Sequence, residues 1–110
     1  EKPFEKKRVA SAKSIRQIIR MMEGVIQKGT AQSLISLERP IAGKTGSTND
    51  FKDSWFVGFT PNLVVGVFVG FATPRTLGPD ESGSKVAVPI FKNFMIEAMQ
   101  NKPTLNFDGL

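Results

Sequence analysis

Residues 54–71 have the sequence SWFVGFTPNLVVGVFVGF, in which two apolar runs are separated by a short turn around Thr-Pro-Asn at positions 60–62. Aromatic and β-branched residues dominate both runs, which is typical of β-strands, and the Pro-Asn pair favours a turn. We therefore predict two strands, over residues 54–59 and 63–71, joined as an antiparallel hairpin.

The second of these strands is apolar on both faces. Side chains alternate along a strand, and they place one set, Leu63, Val65, Val67, Val69 and Phe71, opposite another set, Val64, Gly66, Phe68 and Gly70. We therefore expect both faces of the sheet to be covered. An exposed apolar edge favours aggregation, so we also expect the far edge of this strand to pair with a strand from another part of a longer protein.

Helices flank this sheet in the sequence. An apolar face at three- and four-residue spacing predicts a first helix that begins at an N-cap Ser11 and ends near Gly29; its members are Ile15, Ile18, Ile19, Met22 and Ile26. A second helix has Pro89 in its first turn and ends at residues 101–103; its apolar face comprises Ile90, Phe91, Phe94, Met95, Ala98 and Met99.

The remaining segments complete the order helix, three strands, helix. We predict a loop at residues 30–40, a strand at 41–48, a polar turn at 49–53 and a loop at 72–86. The fold class is therefore α/β, with an antiparallel sheet of three strands flanked by helices.

The composition limits the chemistry. The chain has 110 residues, of which 40% are hydrophobic and 23% charged, as expected for one globular domain. It contains neither Cys nor His, which excludes disulfides, thiolate sites and the commonest metal ligand. The acidic residues are scattered without the spacing of metal ligands, so we expect no metal site and no cofactor.

The net charge of +5 is concentrated at the front of the chain. Phe4 is the only aromatic side chain nearby, whereas a nucleic-acid surface would combine such charge with aromatic residues. We interpret this basic cluster as a solvated helix face and a flexible leading segment, and we do not expect nucleic acid as a partner; its members are Lys2, Lys6, Lys7, Arg8, Lys13, Arg16 and Arg20.

Residues 42–48, AGKTGST, are the part of the sequence best suited to chemistry. Lys44 supplies a cation, Thr45 and Ser47 supply hydroxyls, and the strand supplies backbone N–H groups. Gly46 allows the backbone of a ligand to lie close. A carboxylate next to a peptide-like unit is the group that suits this array.

The flanking motifs resemble a known family. Lys-Thr-Gly-Ser at 44–47 is preceded by VIQKGTA at 25–31 and followed by Asn-Asp at 49–50, DSWFVGFTP at 53–61 and AVPIFKNFM at 87–95. This series resembles the C-terminal part of the transpeptidase domain of penicillin-binding proteins, in which Lys-Thr-Gly is the third motif. The resemblance covers residues 11–100.

The spacing of these motifs resembles one subgroup of the family. Seven residues separate Ser47 from Trp55, as in class A, bifunctional members, and the Pro-Arg and Leu-Gly pairs at 74–78 are similar to the 1A type. The resemblance implies a β-lactamase/transpeptidase-like fold. It also implies that residues 1–110 are a C-terminal subregion of the transpeptidase domain, with a leading segment at 1–10 and a tail at 101–110.

The resemblance also implies an activity, the cross-linking of peptidoglycan by a serine D,D-transpeptidase that β-lactams inhibit. Lys44 corresponds to the motif lysine, which supplies positive potential and supports proton transfer. Ser47 occupies the position whose backbone N–H completes the oxyanion hole and whose hydroxyl binds the substrate carboxylate. Thr45, Gly46 and Thr48 complete the implied substrate-binding set.

The nucleophile of the family is not found at its expected place. It belongs to a Ser-x-x-Lys motif that, like Ser-x-Asn, precedes Lys-Thr-Gly. The sequence Ser-Gly-Ser-Lys at 82–85 lies in a Gly-rich loop and Ser-Thr-Asn at 47–49 overlaps the strand, so we interpret both as chance matches. We expect the chain alone to be inactive.

The partners that the resemblance implies are the upstream part of the same protein, peptidoglycan stem peptides and β-lactam antibiotics. The implied location is the periplasmic side of the bacterial inner membrane, with the anchor outside this chain. A glycosyltransferase domain is implied only by the family. Trp55 and Phe56 are expected to pack beneath the site.

Two alternatives remain open. The first is a non-catalytic module that binds β-lactam or muropeptide as a sensor. The second is a small basic domain that binds nucleic acid or another anionic polymer, which would make binding to duplex DNA depend on salt.

Overall fold

The computed structural model describes residues 4–109, which form one antiparallel sheet with two helices. The sheet has the order β1-β2-β3, so β1 and β3 are its edge strands. The elements are α1 (Ala12–Gln27), β1 (Ala42–Ser47), β2 (Asp53–Thr60), β3 (Leu63–Gly70) and α2 (Ala87–Ala98), with 3₁₀ helices at Gln32–Leu37, Asn49–Phe51 and Phe107–Gly109.

The sequence pattern predicted the order of these elements correctly, and the fold class is confirmed. The hairpin is present, with β2 one residue longer at each end than predicted and β3 one residue shorter. Residues 30–40, predicted as a loop, contain the 3₁₀ helix Gln32–Leu37. The predicted N-cap is confirmed, because Ser11 Oγ accepts a hydrogen bond from the backbone N–H of Ser14 at 3.2 Å.

The sheet has two unlike faces. We call the face that carries Lys44, Gly46, Trp55 and Phe68 the Lys44 face, and the face that carries Thr45, Ser54 and Phe56 the core face; the strand register sets this division.

The main core lies between the core face and α2. The ring of Phe56 meets the ring of Phe91 edge to face at 4.8 Å between centroids, and both side chains are fully buried. Gly43 and Gly58 make room for them, because a Cβ at either position would lie 2.6 Å from the Phe56 ring. Glycine at these two positions is therefore a requirement of packing.

A second, smaller core connects α1 to the end of the chain. Ile19 and Ala42 are buried there with Phe107, whose ring lies 5.7 Å from that of Phe59. The sequence pattern did not predict this contact, because a single aromatic residue in residues 101–110 has no periodicity. Phe107 holds that segment against the sheet.

Several apolar side chains predicted on buried faces are exposed in the structure. Ile18 of α1 is 55% exposed, and Ile90 and Phe94 of α2 are 46% and 51% exposed. All three flank the centre of their helix face, which is occupied by fully or nearly fully buried neighbours such as Phe91. The apolar stripe is therefore wider than the surface that it packs against.

The expectation that both faces of the sheet are covered is not met within residues 4–109. Val64 and Phe68, on the Lys44 face of β3, are 70% and 52% exposed. The physical reason is that α2 packs on the core face, whereas α1 contacts β1. Within the described residues β3 also has no second neighbouring strand, so the pairing of its far edge stays a prediction.

No helix within residues 4–109 is both long enough and apolar enough to cross a lipid bilayer.

Candidate functional site

Lys44 stands at the middle of the edge strand β1 with an exposed side chain. It pairs with Val57 of β2, and its Nζ donates a hydrogen bond to the backbone carbonyl oxygen of Thr45 at 3.1 Å. This single bond to an exposed backbone oxygen is readily exchanged for one to a ligand. Lys44 thus presents a positive charge at an open margin of the sheet.

Thr45 lies on the opposite face. It pairs with the buried Phe56, and its Oγ1 is 2.9 Å from Oγ1 of Thr30, the third residue after α1. The hydroxyl of the motif threonine is therefore engaged within the protein. Sequence reasoning did not place Thr30 at the site, although the motif at residues 25–31 contains it.

Ser47 ends β1 with its side chain exposed, opposite Ser54 of β2. Gly46 has open space on its side-chain direction, since a Cβ there would meet only the Trp55 Cβ at an ordinary 3.5 Å. Thr48 is exposed, and its Oγ1 accepts a hydrogen bond from the backbone N–H of Asp53 at 3.3 Å. The Thr48 hydroxyl closes the turn after β1.

The free edge of β1 adds backbone groups to these side chains. Because β1 has a neighbour only on its β2 side within residues 4–109, alternate backbone N–H and C=O groups of Lys44 to Ser47 point away from the sheet. An extended, peptide-like ligand could bind such an edge by adding a strand to it. Cation, hydroxyl and edge N–H groups are the combination that binds a peptide ending in a carboxylate.

Trp55 and Phe56 were both expected beneath the site, and the structure confirms this only for Phe56. Phe56 is fully buried on the core face, whereas Trp55 lies on the Lys44 face, 43% exposed, with its ring 4.7 Å from that of Phe68. The error has a simple cause, because neighbouring residues of a strand point to opposite faces.

The turn that follows the motif has an unusual backbone. Asp50 and Phe51 are consecutive non-glycine residues in the left-handed region, with φ of 63° and 50°. Such a conformation is costly for a bulky side chain. It is held by a hydrogen bond of 2.7 Å from the backbone N–H of Leu77 to the carbonyl oxygen of Phe51, which ties the loop before α2 to this turn.

The Ser-x-x-Lys match at residues 82–85 is more ordered than the loop that the sequence predicted. The carbonyl oxygen of Ser82 accepts from the backbone N–H groups of Lys85 and Val86, so these residues form a helical turn leading into α2 and not a plain loop. Ser82 Oγ is bonded to Ser84 Oγ at 2.9 Å. Since this turn lies on the core face, Ser82 is on the side of the sheet opposite to Lys44.

The described residues contain no group of three His, Cys, Asp or Glu side chains that could hold a metal ion.

Outside β1, burial raises the pKa of the Glu23 carboxyl above its ordinary value of 4.5. The carboxylate of Asp108 raises it further, and the Arg20 guanidinium opposes this effect. Glu23 belongs to α1 and lies near residues 107–108, where a small cavity of about 30 Å³ is lined by Arg16, Ile19, Arg20, Glu23, Phe107 and Asp108.

Comparison with known proteins places this chain in a family. The family model described as the penicillin binding protein transpeptidase domain matches residues 1–96. The chain is 50% identical over 99 residues to penicillin-binding protein 1A of Rickettsia bellii, covering 90% of this chain and 12% of the relative. It is 41% identical over 102 residues to penicillin-binding protein 1A of Pseudomonas aeruginosa, covering 92% of this chain and 12% of that relative.

The solved structures agree with the sequence comparison. The crystal structure of penicillin-binding protein 1A from Haemophilus influenzae matches with a TM-score of 0.83 and 34% identity, over 92% of this chain and 17% of that chain. The chain thus spans about an eighth of the length of the curated relatives named above. These matches confirm the resemblance to the 1A type, and the chain belongs to the penicillin-binding protein transpeptidase domain family.

Proposed function

We propose that this chain supplies one side of the active site of a peptidoglycan D,D-transpeptidase, a serine acyl-transfer enzyme that β-lactams inhibit. The observation that carries the proposal is the exposed Lys44 on the free edge of β1, three residues before the exposed Ser47. The substrate class that fits is a peptide with a terminal carboxylate, here a stem peptide ending in D-Ala-D-Ala. The nucleophilic serine lies in the upstream part of the same, longer protein.

The reaction proceeds by covalent catalysis in two steps. The serine oxygen bonds to the carbonyl carbon of the penultimate D-Ala, and the proton of the serine passes to the amine of the departing D-Ala as the peptide bond breaks. An amine of a second stem peptide then attacks the ester carbon, forms the cross-link and returns the proton to the serine. Water can take the place of the peptide amine in the second step, which gives hydrolysis. A β-lactam takes the place of the donor peptide in the first step, and its ring opens to give a serine ester that reacts only slowly further.

In this proposal the residues of β1 bind and polarise the donor peptide. Lys44 supplies positive potential near the proton-transfer path and the carboxylate. The backbone N–H of Ser47, together with that of the nucleophile, stabilises the oxyanion, and the Ser47 hydroxyl binds the terminal carboxylate. Gly46 allows the acyl group to lie close to the strand.

Thr45 and Thr48 were expected to bind substrate, but their hydroxyls are engaged within the protein. Thr45 Oγ1 bonds to Thr30, and Thr48 Oγ1 closes the turn to β2. We propose that both shape β1, so that any contact of theirs with substrate runs through backbone groups.

The proposed cellular location and partners are those of the family. The enzyme acts on the periplasmic side of the bacterial inner membrane, and its anchor and any glycosyltransferase domain lie outside this chain. The partners are the upstream transpeptidase residues, stem peptides and β-lactams.

Covalent labelling with a fluorescent penicillin tests the proposal. The longer protein that contains this chain would be labelled, digested and mapped by mass spectrometry. We expect the label on a serine upstream of residue 1, with none on Ser82. A label on Ser82 would contradict the assignment of the nucleophile, and an unlabelled, folded protein would contradict the function itself. Formation of cross-linked product separates an enzyme from a sensor, which acylates without transpeptidation.

A further inference from the structure

A buried hydroxyl in β2 lies beside the end of β1. Ser54 pairs with Ser47 across the sheet, and its side chain is fully buried on the core face. Its Oγ donates to the carbonyl oxygen of Ser82 at 2.9 Å and accepts from the backbone N–H of Ala87 at 3.2 Å. The hydroxyl thus links the turn that precedes α2 to the core face of the sheet.

The same turn lies in close contact with the backbone of β1. A Cβ placed on Gly83 would lie 2.8 Å and 3.0 Å from the backbone oxygen and nitrogen of Gly46, and would overlap the carbonyl oxygen of Trp55. Gly46 and Trp55 form a pair whose side-chain positions point to the Lys44 face, so the core face offers only backbone there. Gly83 fits because it has no side chain.

Loss of the Ser54 hydroxyl would loosen this attachment without dissolving the turn. The Ser82 carbonyl keeps its hydrogen bond from the N–H of Val86, and the Ala87 N–H keeps its bond to the carbonyl of Gly83, at 3.0 Å and 3.1 Å. Neither backbone group is left without a partner. The change would therefore alter the distance between turn and strand more than the fold.

We propose that Ser54 is a positioning residue for acyl transfer: it holds residues 82–87 against Gly46 and so fixes the direction of the Ser47 backbone N–H. This inference rests on the proposed function, in which that N–H stabilises the oxyanion. A displacement of such a donor by a fraction of an ångström weakens its bond to the transition state more than it weakens ground-state binding.

The test compares two buried hydroxyls on the same face of β2. Ser54→Ala removes one, and Thr60→Val removes the other. Thr60 is 5% exposed, and its hydroxyl is hydrogen-bonded to Asn62 in the hairpin turn. Acylation by a fluorescent penicillin would be followed in the longer protein at several penicillin concentrations. This separates the non-covalent dissociation constant from the acylation rate constant.

We expect Ser54→Ala to lower the acylation rate constant about 10-fold with the dissociation constant changed by less than about twofold, and Thr60→Val to leave both near wild type. Equal rates for Ser54→Ala and wild type, or equal slowing in both variants, would overturn the positioning role. If Ser54→Ala yields no folded protein, Ser54→Cys, a similar-sized and weaker donor, carries the same comparison. A wild-type protein that is not acylated would instead contradict the proposed function.

Discussion

The hydroxyls of Thr30 and Thr45 lie 2.9 Å apart, so a residue just beyond α1 holds the middle residue of the Lys-Thr-Gly motif from the core face. Lys44, one residue earlier, points to the other face. This division places the fixed Thr45 hydroxyl and the exposed Lys44 ammonium on opposite faces, while Ser47, on the Thr45 side by register, is exposed at the end of the strand. It also separates the motif residues into those that shape β1 and those that are free to meet a ligand.

Thr30→Val should lower the free energy of unfolding by about 0.5–1 kcal/mol, because it removes one hydrogen bond between partly exposed hydroxyls. Urea unfolding of the chain, followed by the fluorescence of its single tryptophan, Trp55, measures the change. Thr104→Val, at an exposed threonine near the end of the chain, is the control and should leave the midpoint unchanged. Equal midpoints for Thr30→Val and wild type would show that this bond does not stabilise β1.

Lys44→Ala should slow acylation by penicillin about 100-fold or more, because in the proposed function this side chain supplies the positive charge near the reacting groups. The side chain is exposed, so thermal unfolding should be unchanged. The rate would be measured in the longer protein. Lys52→Ala, at an exposed lysine in the neighbouring turn, is the matched control and should acylate at the wild-type rate. Acylation of Lys44→Ala at the wild-type rate would refute the role given to this lysine.

The sequence was sufficient to predict the helices and the three strands, including β1, because alternation and three-to-four spacing are local properties. It could not assign individual side chains at the margins of an apolar stripe. Ile18 and Phe94 satisfy the helical pattern as well as Phe91 does, but only the geometry of packing decides which of them is buried. For Trp55 the strand pattern did contain the answer, since its neighbour Phe56 fills the core.

The candidate site was predictable only in part for a similar reason. The residues of the motif itself are contiguous, so Lys44 and Ser47 could be named from the sequence. Thr30, Ser54 and Gly83 reach β1 from other elements, and serines, threonines and glycines at such separations carry no pattern of their own. The contacts of Ser54 and Gly83 arise only when the loop before α2 packs on the core face, and that of Thr30 arises only when the segment after α1 reaches Thr45.

Gly58→Ala should destabilise the chain by about 1–3 kcal/mol, because a Cβ at this position would lie 2.6 Å from the ring of Phe56 and 2.7 Å from that of Phe91. Gly66→Ala is the control on the neighbouring strand. Its Cβ would meet only Val57 Cγ2 at 3.9 Å, so it should be neutral or stabilising by about 0.5 kcal/mol. Similar urea midpoints for the two variants would contradict the packing described for the main core.

Glu23→Gln should stabilise the chain at neutral pH and have little effect in acid. Burial, then the carboxylate of Asp108, raise the pKa of Glu23 in the folded state above 4.5, while Arg20 opposes them. The folded state therefore holds this proton more tightly than the unfolded state does, and stability falls as the pH rises from 4.5 through the raised pKa. The urea midpoints of Glu23→Gln and wild type, measured from pH 4 to 7, should converge at the acid end and separate toward neutral pH. Glu97→Gln, at an exposed glutamate of α2, is the control and should follow the wild-type curve. A Glu23→Gln curve parallel to that of wild type would show that folding does not raise the pKa of Glu23.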